Sequence, residues 1–239
     1  MSPELRGIVE RVRDAAARRT PLDIRGGATK AFYGGLPRGE PLDITALAGI
    51  SSYEPSELVV TACAGTPLAE LESVLAEQGQ CLAFEPPRFA PGGTVGGLVA
   101  AGLAGPARAA VGGVRDYVLG TTLLNGRAEL LNFGGTVMKN VAGYDVSRLL
   151  AGSMGILGVI CEVSLKVLPR PAATLTLRLE SDAAQAIRRL GEWRGQPLPG
   201  DSSFKRTVSW CWAAIGVARL LGRGAEWGLW VRRSPAERR

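Results

Sequence analysis

The chain has 239 residues, 46% hydrophobic and 21% charged, a balance that places it among globular chains and excludes disordered and fibrous ones. Its net charge of +6 gathers at one end, because residues 200–239 hold eight Lys/Arg against three Asp/Glu; the remainder lacks the spread basic stripe of a nucleic-acid binder. Histidine is absent, which excludes a His general base, a Ser-His-Asp triad, an H-E-x-x-H zinc site and a histidyl-flavin bond.

Leu5, Ile8, Val9, Val12 and Ala16 recur at helical spacing between Arg6, Arg11, Arg13 and Asp14, predicting an amphipathic helix over 3–19 that packs on a sheet. Short strands are expected at 22–25, 42–44 and 58–62. Thr66 as N-cap with Pro67 at the first helical position predicts a helix to about residue 78, stopped by Gly79, and completes a βαβ-like pattern. After a strand at 81–83, Glu85 followed by Pro86 and Pro87 predicts an extended connection. Residues 94–101 read as a small-residue helix whose first N–H groups face Gly92 and Gly93. Strands at 118–124 and 128–133 flank Asn125-Gly126, a hairpin signal. Asp145 is placed to cap a helix through Leu150, and apolar alternation predicts a long half-buried strand over 159–167. Pro169 and Pro171 end it, and a strand at 175–179 with a helix at 181–193 opens a second α+β unit.

The cysteines Cys63, Cys81, Cys161 and Cys211 form no C-x-x-C pair and read as reduced, mostly buried thiols, with no metal site expected. No window reaches the apolar length of a membrane span and the N-terminus lacks a signal-peptide core. A cytoplasmic chain is expected, with peripheral attachment to a membrane left open.

Half of the chain's 32 glycines lie between Gly92 and Gly158, many of them in pairs, and Gly26-Gly27 stands upstream. Glycine admits φ > 0 and lets a ligand approach the backbone, so separated Gly-Gly turns aim several N–H groups at one anion and point to a phosphate-bearing ligand. Neither a G-x-x-x-x-G-K-[ST] loop nor a G-x-G-x-x-G fingerprint is present; Gly152, Gly155 and Gly158 have the wrong spacing. The competing view, that the pairs serve only tight turns and close helix packing, holds better for any single pair than for four beside helix starts.

The run Gly92, Gly93, Thr94, Val95, Gly96, Gly97, the segment 113–120 (GVRDYVLG) and the segment 133–145 (FGGTVMKNVAGYD) together resemble the FAD-binding subunits of glycolate oxidases. These belong to the flavoproteins with the vanillyl-alcohol-oxidase and p-cresol-methylhydroxylase (PCMH) type of FAD domain. The resemblance covers roughly residues 3–198. It implies an α+β fold with a two-lobed PCMH-type FAD-binding domain over 1–170, lobes at 1–90 and 91–170, then an incomplete second α+β (cap) domain over 171–199. It also implies non-covalent FAD.

Carried over by resemblance, Arg25, Gly26, Gly27, Ala28 and Thr29 form the first pyrophosphate loop, with Ala28 where the family often has a third glycine. Gly92, Gly93, Thr94, Val95, Gly96 and Gly97 form the second, with backbone N–H groups and the Thr94 hydroxyl on phosphate oxygens. Gly113, Val114, Arg115 and Asp116 pass along the cofactor. Gly155, Val159 and Ile160 lie near adenine and ribose, although the last two read equally well as ordinary strand residues. Lys139 and Asn140 are read as ordering a loop, and no catalytic residue is assigned. The resemblance implies two partners, a catalytic flavoprotein subunit that holds the substrate and an iron–sulfur subunit that takes electrons onward. The chain itself would relay electrons and be inactive alone; an FAD-free scaffold subunit is the alternative. Residues 200–239 depart from the family, crowd Trp210, Trp212, Trp227 and Trp230 among arginines, and are expected to stand outside the cooperative core. A shifted reading frame explains such a tail better than a membrane-surface or partner-binding segment.

Overall fold

The computed structural model describes residues 1–36, 38–105, 107–135 and 145–171, the strands at 175–180 and 228–233, and scattered positions between 182 and 188. Lys139, Asn140 and Tyr144, most of the helix expected at 181–193, and Trp210, Trp212 and Trp227 lie outside the described residues. The chain forms two compact units, Met1–Ala104 with Gly113–Pro169, and Gly105–Gly112 with Arg170–Arg239.

The first unit begins with helix α1 (Pro3–Arg18), started by Ser2, whose hydroxyl accepts the Leu5 N–H, and ended by Arg19 at φ 55°. Its buried face is Ile8, Val9, Val12 and Ala15, as the spacing predicts. β1 (Leu22–Arg25) and β2 (Glu40–Asp43) pair in parallel, so the connecting loop must return the chain to the starting edge of the sheet. β3 (Ile50–Glu54) has no counterpart in the sequence reading; its Ser51, Ser52 and Glu54 are exposed, and an edge strand of that composition carries no apolar alternation. β4 (Val59–Cys63) follows, then α2 (Leu68–Glu77), the two-residue β5 (Gln80–Cys81), and α3 (Val95–Ala101).

Thr66 does not cap α2. Pro67 occupies the N-cap position, and the fully buried Thr66 hydroxyl instead donates to the Gly49 carbonyl at 3.0 Å and accepts the Gly49 N–H at 2.9 Å. Glu85 also departs from expectation, taking φ 51° after a turn rather than an extended conformation before Pro86.

With α4 (Arg108–Val111) assigned to the second unit, the first resumes at β6 (Val118–Leu124) and β7 (Leu130–Gly134). Their connection is not a two-residue Asn-Gly turn: Asn125 Oδ1 accepts the N–H groups of Arg127 and Glu129, and Ala128 takes the left-handed conformation at φ 60°. An Asx turn has displaced the I′ turn and delayed the second strand to Leu130. α5 (Val146–Leu149) is capped by Asp145, whose Oδ1 accepts the Arg148 N–H, as expected.

β8 (Val159–Lys166) is the central strand of a five-stranded antiparallel sheet of order β3-β4-β8-β6-β7, which draws strands from both sides of residue 90. Only Glu162 and Lys166 within it are more than slightly exposed, so the half-buried strand expected from alternation is in fact a core strand. Lying between β4 and β6 under α3 it has little solvent face, and its one inward hydroxyl, Ser164, pairs with Thr61 at 2.8 Å. β9 (Leu168–Pro169) closes the unit against β5. Phe84, Leu71, Leu75, Leu98, Val163 and Leu165 are at the centre of one continuous core. Cys63 and Cys81 are half-buried and in no disulfide, and burial pushes the Cys161 thiol up to about 12.

In the second unit β10 (Leu175–Glu180) pairs antiparallel with β11 (Gly228–Arg233), in register from Leu175 opposite Arg233 to Glu180 opposite Gly228. β11 lies within residues 200–239, the stretch that departs from the family pattern. Its partner is some fifty residues away in sequence, beyond the reach of any local turn signal. Among the described residues no helix is long and apolar enough to cross a membrane.

Candidate functional site

Two loops of the first unit meet in backbone contact. β1 runs into residues 26–29, and a Cβ on Gly27 would overlap the Gly92 carbonyl while one on Gly26 would overlap Thr94 Oγ1. The second loop is itself tied down, since Leu68 N–H donates to Gly93 C=O at 2.8 Å and Val95 N–H to Thr66 C=O at 3.0 Å. Among the described residues, the N–H groups of 26–29 and of 92–94 donate to no protein acceptor. Gly93 differs from its neighbours. A Cβ there would meet nothing closer than Thr29 Oγ1 at 3.6 Å, across the gap between the loops. The geometry is a cradle lined by unpaired amides, of the kind that takes an anion.

The donors are not those expected at the start of α3. Gly96 N–H is bound to Ala64 C=O at 2.7 Å, Gly97 N–H to Thr94 Oγ1 at 3.2 Å, and Val95 N–H to Thr66, so the first turn of this helix is engaged by the protein itself. Thr94 acts as the N-cap, accepting with its side-chain oxygen and leaving its own O–H as a donor. Gly96 has a packing role: a Cβ on it would lie 2.6 Å from the Ala64 Cβ, so α3 seats against the end of β4 only through glycine. Val95 is wholly buried.

Other expected site residues are placed differently. Arg25 folds back along its own strand, its Nε 2.5 Å from Asp23 Oδ2. Gly113, Val114, Arg115 and Asp116 form a self-contained turn in which Gly113 N–H donates to Asp116 Oδ2 at 2.8 Å, Val114 is buried and Arg115 is exposed; its hydrogen bonds do not reach the cradle. Gly155, at φ 79°, adjoins the strand that feeds the first loop, since a Cβ on it would sit 3.2 Å from Ile24 Cδ1. Val159 and Ile160 are core residues of β8, opposite Leu124 and Leu123. A cavity of about 230 Å³ opens beside Gly155, with Ala15, Ile24, Leu124, Asn125 and Val159 in its walls. The structure thus joins 26–29 with 92–94, sets Gly155 against Ile24 of the strand that feeds the first loop, and closes 113–116 with a hydrogen bond of its own.

Lys30 escapes a search for glycine pairs. It ends the first loop, is half-buried, and makes no ion pair among the described residues; burial pushes its pKa down. Its signal in the sequence is a lone cation directly after a glycine turn. Phe32 and Phe89, beyond the two loops, pack edge to face with centroids 4.8 Å apart.

Residues 6–134 match the family described as FAD binding domain. The chain belongs to that family, and FAD is its cofactor. It is 51% identical over 192 residues to glycolate oxidase subunit GlcE of Escherichia coli (strain K12), a match covering 80% of this chain and 55% of that protein. It is 33% identical to D-lactate dehydrogenase of Anaerostipes hadrus, covering 63% of the chain and 32% of the relative. It is 30% identical to glycolate oxidase subunit GlcD of Bacillus subtilis (strain 168), covering 66% and 34%. The chain therefore spans about half the length of the first relative and about a third of the other two. Two solved structures of alkyldihydroxyacetonephosphate synthase superpose with TM-scores of 0.63 at 23% and 21% identity, covering 78% and 79% of this chain and 34% and 38% of theirs. The fold is the α+β PCMH-type FAD-binding fold. The cradle is compatible with FAD, because the amides of two loops in backbone contact have no protein acceptor among the described residues and a Cβ at Gly93 would meet nothing closer than 3.6 Å.

Ala28 holds φ 51°, the left-handed conformation that the family's third glycine would adopt freely. For an L-residue this costs about 1–2 kcal/mol, whereas glycine costs about 0.4–1 kcal/mol in unfolded-chain entropy. Ala28→Gly is therefore expected to stabilise the cofactor-free protein by about 0.5–1 kcal/mol, read from the urea midpoint at unchanged m-value.

Proposed function

We propose that this chain is the FAD-binding subunit of a glycolate-oxidase-type complex and relays electrons while a separate catalytic flavoprotein subunit oxidises a 2-hydroxy acid. An iron–sulfur subunit is the onward acceptor. The observation that carries the reading is the amide cradle between 26–29 and 92–94, in a chain 51% identical to glycolate oxidase subunit GlcE over 80% of its length. When bound, FAD supplies the redox chemistry. The protein supplies amide donors and the Thr94 hydroxyl to the pyrophosphate oxygens, and Lys30 supplies the positive charge, since Arg25 is held by Asp23 and Arg88 by Glu72. Having no histidine, the chain holds FAD without a histidyl bond, and a histidine base for the substrate hydroxyl must come from a partner. Ala28 keeps the loop in the glycine-like conformation, which favours this reading over an FAD-free scaffold.

Purified protein should carry or take up FAD and release all of it on denaturation. Gly93→Val puts a branched side chain into the gap without a clash in the fold, so its circular dichroism should match the parent while FAD affinity falls at least about a hundredfold. A folded variant that binds FAD as the parent does would remove the cradle from the site.

Binding should also depend on pH through Lys30. Burial lowers its pKa in the free protein and a bound pyrophosphate raises it, so affinity is full below the free-state value and declines as pH rises through it. The decline should begin below the ordinary lysine range and disappear in Lys30→Met, as measured by FAD titration across alkaline pH. Dye reduction with glycolate should be absent for the FAD-loaded chain alone and appear when the catalytic and iron–sulfur subunits are added. Turnover by the chain alone would move the substrate site onto it.

A further inference from the structure

Phe32 and Phe89 are large apolar side chains left 66% and 50% exposed, yet they are in contact, with ring centroids 4.8 Å apart and planes 74° apart. Scattered exposed hydrophobics are ordinary, but a contacting pair contributed by both arms of one cradle is not scattered. Phe32 lies three residues beyond Thr29 and Phe89 three residues before Gly92. Three residues reach at most about 10 Å, so the α-carbons of both residues stand within that distance of the loop ends. Each arm is shaped locally: Tyr33 N–H returns to Lys30 C=O at 2.9 Å, and Arg88 is ion-paired to Glu72 on α2. The pair is therefore a set apolar surface at the mouth of the anion site.

We infer that the Phe32–Phe89 pair is the platform on which the isoalloxazine ring of the bound FAD rests, an inference that depends on the FAD reading of the cradle. The ring is joined to the pyrophosphate by a ribityl chain, which covers a distance comparable to the reach from cradle to pair. Its flat face and methylated benzenoid edge are apolar, matching a surface of two aromatic rings in edge-to-face contact. The smaller purine has its own receptacle in the cavity of about 230 Å³ beside Gly155. A ring that exchanges electrons with another subunit must also stay near the surface, and the exposure of Phe32 and Phe89 keeps it there.

The test compares FAD with ADP, which keeps the pyrophosphate and adenine but lacks the flavin. By calorimetric titration, Phe32→Ala and Phe89→Ala should each weaken FAD binding about tenfold and change ADP binding by less than about twofold. Phe32→Tyr should retain parental FAD affinity, and thermal melts of the cofactor-free variants should match the parent. Unchanged FAD affinity in both alanine variants would overturn the inference and leave the pair to a protein partner. A parallel loss of ADP affinity would overturn it by placing the pair at the adenine end or in the shape of the loop. A parent that binds ADP but not FAD, or neither, would overturn the FAD reading and this inference together; a parent that binds both, with unaffected variants, would overturn this inference alone.

Discussion

The candidate site depends on one steric constraint: residues 26–27 and 92–94 lie backbone against backbone, with no room for a side chain on Gly26 or Gly27. That contact brings together two stretches whose amides have no protein acceptor among the described residues, and the second loop is fixed from behind. Thr66 does this. Its hydroxyl exchanges both hydrogen bonds with Gly49 and its carbonyl accepts from Val95, so a fully buried side chain clamps the end of β3's approach, the start of α2 and the start of α3 at one point. Removing that hydroxyl would leave the part-buried Gly49 N–H without its acceptor, at a cost of about 1–3 kcal/mol, while the Gly49 carbonyl would keep the Cys63 N–H.

The unengaged amides are not those of the helix terminus to which the glycine run points. α3 has only seven residues, and its first amides point into the protein, to Ala64, Thr66 and Thr94. Its Gly96 serves to bring the helix against Ala64, and the run from Gly92 to Gly97 thus divides into two functions. Gly92 and Gly93 face the gap, while Gly96 and Gly97 face the fold. The sequence motif is continuous, but the chemistry is not.

What was legible in the sequence follows from how local each cause is. The α1 stripe, the Asp145 cap and the β1 limits are set by neighbours a few residues apart, and they stand where those neighbours put them. β3 was invisible because an exposed edge strand needs no apolar alternation, and β8 was misjudged because burial of both faces is decided by β4, β6 and α3. β11 depends on a distant partner, β10. The same distinction holds at the site: the loops 26–29 and 92–94 carry their glycines openly, whereas the clamp at Thr66 comes from tertiary hydrogen bonds.

Charge completes the division of labour. A pyrophosphate needs compensation, yet the cations nearest the loops in sequence, Arg25 and Arg88, are already paired with Asp23 and Glu72. Those pairs shape β1 and the loop before Gly92 rather than the field in the gap, and exposed pairs of this kind add little stability of their own. Neutral amides need no counter-charge when no anion is bound, and Lys30, half-buried and outside any ion pair among the described residues, is the cation directly after the first loop. A site of this construction favours a ligand that brings its own reactivity. With no histidine in the sequence, the described residues are suited to holding and orienting FAD rather than to serving as a histidine base.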